Sequence, residues 1–254
     1  MAKLFLIVGL QRTGCHAIAN WLLHQTPNIS PESIAQRPDC GVNIIPQNAL
    51  FFNAWQFHQS IQEHQNYYDG SQYYHNRLLD TSHPLNNCVM LSEQGYLNLF
   101  LQEGLKGPIP APLDKLEICK ILTLRDVRNT YASFIKKHGE PPVHIQRQWV
   151  ERAEEILDYT HYMGQNVICI NFNMWATSKD YRRLLASILD LTFTDVGIQD
   201  IPDYGSGSSF QDRTMDGRAQ NMDINNRYQL IDQDFLNSFI TPYAAKLSEE
   251  IFGI

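Results

Sequence analysis

A three-layer α/β/α domain with a central, mostly parallel sheet is what this sequence predicts, on three observations. Four short apolar runs have strand length: Leu4–Val8, Cys88–Ser92, Leu116–Leu124 and Val167–Ile170. Such runs suit strands buried on both faces, as in parallel sheets. Helical patterns alternate with them, which is how parallel strands are connected. The first run passes into the first helical pattern through Gly9-Leu-Gln-Arg12-Thr13-Gly14, a tight turn bounded by glycines.

Taken in order, Leu4–Val8 is the first strand, and Ile18, Trp21, Leu22 and Gln25 then fall at helical spacing. The helix ends near Pro27. Residues 28–48 hold several Pro, Asn and Ser and read as an irregular excursion over the sheet edge. Residues 49–86 mix eight aromatic rings, Phe51 to Tyr74, with His58, His64, His75 and His83. Part of that stretch is expected to be helical, either as a surface helix with an aromatic inner face or as a wall for an acceptor substrate. Its histidines lack His-x-x-x-His spacing, so a metal site is not expected.

Cys88–Ser92 reads as the second strand, with Glu93 at its C-terminal end, and a helical segment over 96–102 follows. Leu116–Leu124 is the third strand, ending at Arg125-Asp126 and continued by a helix through Ser133 to about His138. Beyond Pro141-Pro142, a long amphipathic helix carries Trp149, Ala153, Ile156, Leu157 and Thr160 on one stripe. Val167–Ile170 is the fourth strand. Ser178 caps a helix whose Tyr181, Leu184, Leu185, Ile188 and Leu189 share a face. Residues 203–226 are rich in Gly, Ser, Asp and Asn and have the composition of a mobile loop. Thr241-Pro242 opens the closing helix as N-cap and N1.

The 254 residues fit one domain, 1–254, without repeats or a clear boundary. Hydrophobic residues make up 43% and charged residues 19%, a globular balance. The formal charge of −7 argues against general nucleic-acid binding, so an anionic ligand needs a local cationic cluster. The five cysteines, Cys15, Cys40, Cys88, Cys119 and Cys169, are odd in number and show no metal-ligand spacing. Cys119 and Cys169 lie in apolar runs and are expected to be buried thiols. There is no signal pattern at the start and no run near the ~18 apolar residues of a membrane span, so a cytoplasmic, reduced protein is expected.

Two features carry chemistry. The Gly9–Gly14 turn aims backbone N–H groups and a helix N-terminus at one point, which suits a phosphate, and Arg12 adds a fixed forked cation. It lacks the Gly-Lys-Ser/Thr of nucleoside triphosphatases, whose hydroxyl holds magnesium, and so points to a nucleotide bound without metal. Read alone, the turn also fits an ordinary strand–turn–helix. The second feature is Arg125 at a strand end with Ser133 eight residues on, able to converge on one anion. Read alone, Arg125-Asp126 also fits a structural ion pair. Together, on one sheet edge, the two features imply a ligand with two separated phosphate groups.

That pair resembles the sulfotransferase superfamily, which uses 3′-phosphoadenosine 5′-phosphosulfate (PAPS) and has a P-loop NTPase-like fold. Gly9-Leu-Gln-Arg12-Thr13-Gly14 is similar to its 5′-phosphosulfate loop, and Leu124-Arg125-Asp126-Val-Arg-Asn-Thr-Tyr-Ala-Ser133 to its 3′-phosphate motif. The resemblance implies transfer of a sulfuryl group to an acceptor hydroxyl or amine, with 3′-phosphoadenosine 5′-phosphate (PAP) as product and no metal. It implies cofactor contacts from Gln11, Arg12, Thr13, Gly14, Cys15, His16, Arg125 and Ser133, with Arg12 and Glu93 catalytic. His16 and His58 are the competing bases. Cys15 and His16 stand where the family often has hydroxyl residues, and its C-terminal Arg-Lys-Gly element is absent. Arg213, Arg218 or Arg227 is expected in its place, with 203–226 as a lid. Small molecules, glycans, lipids and peptides all remain as acceptors, and the oligomeric state stays open. A kinase-like phosphotransferase and a sulfotransferase-like protein without catalysis are the alternatives.

Overall fold

The computed structural model describes residues 3–25, 42–45, 49–53, 88–92, 97, 117–201 and 207–254. Its centre is β1 (Lys3–Val8), in which every residue after Lys3 is buried. Parallel neighbours flank it: β4 (Cys88–Ser92), with Val8 beside Ser92, and β5 (Glu117–Leu124), with Val8 beside Leu122. The sheet runs outward to β6 (Val167–Asn171) on one side and to β3 (Ala49–Asn53) and β2 (Val42–Ile45) on the other. Its order is β2-β3-β4-β1-β5-β6. Only the β2–β3 pair is antiparallel among the described strands.

Helices cover both faces, which fits the apolar run of β1 after Lys3 and the buried end of β5, Ile121–Leu124. On one face Phe5, Ile7, Ile121 and Ile170 pack against α1 (Cys15–His24), α4 (Phe172–Thr177) and α5 (Lys179–Ile188). On the other, Leu10 and Leu124 join α2 (Val127–His138), α3 (Val143–Ile156), α6 (Gln233–Ser238) and α7 (Pro242–Phe252) around Trp149. Side-chain oxygens of Asp126, Asn171, Ser178, Asp232 and Thr241 cap five of these helices, Thr241 with Pro242 at N1 as expected.

The predicted three-layer, mostly parallel architecture is the observed one, with local corrections. Strands β2 and β3 occupy residues read as irregular excursion and partly helical stretch. Each is four or five residues long, and β3 gains its ladder from β4, a tertiary partner that local pattern does not reveal. The rest of 49–86, with His58, His64, His75 and His83, lies outside the described residues, as do Glu93 and all of 96–102 except helical Leu97. On α5, Leu185 and Leu189 point inward, but Leu184 and Ile188 are more than half exposed. Arg182 takes the inner stripe instead, forking onto Asp195 at 2.7 and 2.9 Å and donating to the Trp175 carbonyl at 2.6 Å. Helix α3 ends at Ile156, so Thr160 lies beyond it, its hydroxyl donating to Glu155. Cys169 is exposed and Cys119 only partly covered; β6 is an edge strand with one lateral neighbour. Among the described residues no helix is long and apolar enough to cross a membrane.

Candidate functional site

Strand β1 delivers the chain to Gly9 at the C-terminal edge of the sheet, where ligands collect in parallel α/β folds. A Cβ on Gly9 would lie 2.1 Å from Cys15 Sγ, so only hydrogen fits there. The Gly9 carbonyl accepts a 2.7 Å bond from Arg152 Nε, reaching across from α3. The Thr13 hydroxyl donates to the Leu10 carbonyl at 2.6 Å and accepts from the Leu10 N–H at 3.3 Å. Cys15 Sγ sits 3.2 Å from that hydroxyl. All three side chains are buried, so the turn is tied from beneath.

Arg12 and Gly14 both have positive φ, 68° and 87°, on either side of Thr13. For Arg12 this left-handed conformation costs about 1–2 kcal/mol. For Gly14 any side chain is strained: an added Cβ would lie 2.0 Å from the Phe172 ring, which would have to shift. Gly14 is also the N-cap of α1, with no side-chain cap and no acidic residue in the first turn. The positive end of the helix and its first N–H groups therefore look toward the cavity lined by Gly14, Cys15, His16 and Ala17.

Arg125 closes the second corner. The neighbouring Asp126 does not pair with it: its carboxylate caps α2 through the Asn129 N–H and also accepts from the Asn129 and Asn173 amides, each at 2.9 Å. Fully buried Arg125 donates from Nη1 to Ser133 Oγ at 3.3 Å and from Nη2 to the Ile224 carbonyl. Its Nε has no partner among the described residues. Arg227 faces the same cavity, lies over the Phe210 ring at 5.4 Å and donates to Gln211 at 3.2 Å.

Neither guanidinium has a carboxylate partner among the described residues. Burial, opposed by Asp126 and reinforced by Arg227, lowers the Arg125 pKa to about 9. Burial, opposed by Asp223, lowers that of Arg227 to about 10. Two desolvated, mutually repelling cations on one wall are the electrostatic signature of an anion site.

The cavity between these corners measures about 680 Å³ and is also lined by Gln11, Arg12, His138, Phe172 and Trp175. Phe172 and Trp175, both largely buried, stack with centroids 5.6 Å apart. The His138 imidazole is held below its ordinary pKa by burial and by the charges of Arg12 and Lys137.

Of the residues singled out from sequence, the structure brings together Gln11, Arg12, Gly14, Cys15, His16, Arg125 and Ser133. Thr13 is not on the cavity; it braces the turn. Arg213 pairs with Asp216 at 2.9 Å and Arg218 donates to the Thr214 carbonyl; both are exposed and neither lines the cavity, whereas Arg227 does. Glu93 and His58 lie outside the described residues. Sequence reasoning missed Arg152, a cation beside the apolar stripe of α3, and Phe172, the ring that closes over Gly14.

No protein-family model matches the chain, and no curated protein sequence matches it. Among solved structures it is similar to the sulfotransferase domain from the curacin biosynthetic pathway, with a TM-score of 0.51 and 13% identity. That likeness covers 98% of this chain and 97% of the other. A mouse sulfotransferase, SULT7A1 complexed with PAP, has a TM-score of 0.41 and 14% identity over 99% of this chain and 83% of the other. The fold of this chain is that of the sulfotransferases.

Proposed function

We propose that this protein is a PAPS-dependent sulfotransferase acting on the hydroxyl or amine of a small-molecule, glycan, lipid or peptide acceptor. One observation carries the proposal: the buried Arg125–Arg227 pair with Ser133 shares one cavity with the Gly9–Gly14 turn. Two cationic corners of one cavity suit a nucleotide with phosphates at its 3′ and 5′ ends.

PAPS supplies a sulfuryl group attached to a 5′-phosphate that serves as leaving group. In this chain the turn N–H groups and Arg12 hold the negative charge at that end, with donors fixed beforehand. Arg125, Ser133 and Arg227 hold the 3′-phosphate. Arg152 and Thr13 keep the turn in shape through the Gly9 and Leu10 carbonyls. Glu93, directly after β4, is the proposed base for the acceptor proton. Residues 203–226 are proposed as a lid over the cofactor, and 49–86 as the acceptor side.

Thermal shift with PAP, ATP and ATP plus magnesium, followed by a transfer assay with labelled PAPS over phenols, sugars, lipids and peptides, tests this. A ligand at ~100 times its dissociation constant adds ~2.7 kcal/mol of stability. Stabilisation by PAP in the presence of a chelator, and label transfer to one acceptor class, is the expected result. Stabilisation by ATP plus magnesium alone points to a phosphotransferase. PAP binding without transfer to any acceptor points to a binding protein.

A further inference from the structure

The charged side chains on the cavity wall are almost all cationic: Arg12, Arg125, Arg182 and Arg227. Asp200 is the exception among the described residues. Its side chain is 36% exposed, and among the described residues its ion-pair contact is with His24 Nε2, 3.9 Å away. That distance is too long for a hydrogen bond. The His24 imidazole is buried and held below its ordinary pKa by that burial, despite the pull of Asp200, so it does not supply a balancing charge near neutrality. Arg182 does not either, because its donors already serve Asp195 and the Trp175 carbonyl. A carboxylate with spare acceptor capacity on the wall of an anion-binding cavity repels the ligand unless the ligand offers it a donor.

Position narrows the donor. Helix α1 runs from Cys15, at the phosphate turn, to His24, and at 1.5 Å per residue its far end lies ~14 Å from the turn. Asp200 stands beside that far end. Ile198 and Ile201, close to it in sequence, line the same cavity and are apolar, and the polar Gln220 reaches the same stretch through its N–H bond to Gln199. A nucleotide held by its phosphates at the turn reaches such a place with the outer edge of its base, not with its ribose, which adjoins the phosphates.

We infer that Asp200 reads the nucleobase by accepting a hydrogen bond from an exocyclic amine, and so selects an amino-bearing purine at the far end of the cavity. The inference rests on the cofactor reading given above and adds to it the residue that sets base specificity.

The test compares PAP with purine riboside 3′,5′-bisphosphate, which carries hydrogen in place of the amine, by calorimetry on wild type, Asp200→Ala and Asp200→Asn. Wild type is expected to prefer PAP by about tenfold or more, the range for a hydrogen bond to a charged group. Asp200→Ala should weaken PAP to the level of the analogue and leave the analogue no weaker. Asp200→Asn, whose amide oxygen still accepts, should recover part of the preference. Melting temperatures of both variants near wild type show that the fold is kept, and Asp200→Asn, nearly isosteric, carries the test if Asp200→Ala does not fold. If the preference for PAP is the same in wild type and both variants, the inference is overturned while the cofactor reading stands. If wild type binds neither nucleotide, the cofactor reading falls and this inference with it.

Discussion

The two ends of the cavity are built differently. The Gly9–Gly14 turn is held by apolar packing, by short bonds to its own sequence neighbours and by one distant donor, Arg152, with Leu10, Cys15 and Thr13 buried beneath it. The wall formed by 207–227 is held from outside. Asp216 accepts from the Ile201 N–H, Gln199 from the Ala219 N–H, Asn129 binds the Asn225 carbonyl and the Tyr228 N–H, and Arg125 binds the Ile224 carbonyl. The first end is packed and bonded from within. The second is docked by polar contacts, and one of its anchors, Arg125, is itself a proposed ligand residue. Binding and stability should therefore be separable at the second end, at residues other than Arg125, and not at the first.

The largest expected effect falls on the anchor shared by both functions. Arg125→Ala removes a buried charge-assisted contact and should cost ~2–5 kcal/mol of PAP affinity, read by calorimetry. Because the Ile224 tie goes with it, the melting temperature should fall as well. An unchanged affinity would remove Arg125 from the 3′-phosphate site.

Gly14→Ala tests the first end. Its new Cβ meets the Phe172 ring and must adopt a left-handed φ. The expected cost is ~1–3 kcal/mol of overpacking and roughly 1 kcal/mol of backbone strain. Denaturant unfolding and PAP titration should fall together. Lost affinity at wild-type stability would show that the turn is not packed in this way.

Arg227→Ala should separate them. Loss of a charged contact predicts a weakening of ~1.5–3 kcal/mol for PAP. The melting temperature should stay near wild type, since among the described residues Arg227 touches its own segment, hydrogen-bonding Gln211 and Met222 and lying over Phe210. Arg213→Ala and Arg218→Ala, both on the exposed surface, should change affinity by less than ~0.5 kcal/mol. Equal losses for all three would mean a general cationic field rather than a site.

The smallest effect is dynamic. Amide exchange should slow on adding PAP over 207–226, whose ties to the rest of the chain are largely polar, and change little in β1, which is buried in the sheet centre. Equal change in both regions would erase the distinction.

These two ends were also unequally legible in the sequence. The strand, turn and helix of the first are contiguous, so apolar run, glycines and helical period reveal them together. Arg125 and Ser133 are legible because strand end and helix turn lie eight residues apart. Arg227 was named only as one of three arginines, because which side chain faces inward depends on how 207–227 folds back onto α2 through Asn129. Arg152 was invisible: its role is to reach Gly9, 143 residues away in sequence, and no local pattern records that. Strands β2 and β3 were missed for the same reason, since pairing with β4 outweighs their weak local signal. The misassigned face of α5 reflects Arg182, which holds an inner position only because Asp195 and the Trp175 carbonyl meet it there.

In the proposed complex one cavity holds two separate anion sites for one nucleotide. Calorimetric titration of the wild-type protein with PAP, with 5′-AMP and with ATP plus magnesium tests it most directly. With a chelator present, PAP should bind at least ~10-fold more tightly than 5′-AMP, the difference being the 3′-phosphate on Arg125, Ser133 and Arg227. Equal affinity for PAP and 5′-AMP, or tighter binding of ATP with magnesium than of PAP, would contradict it.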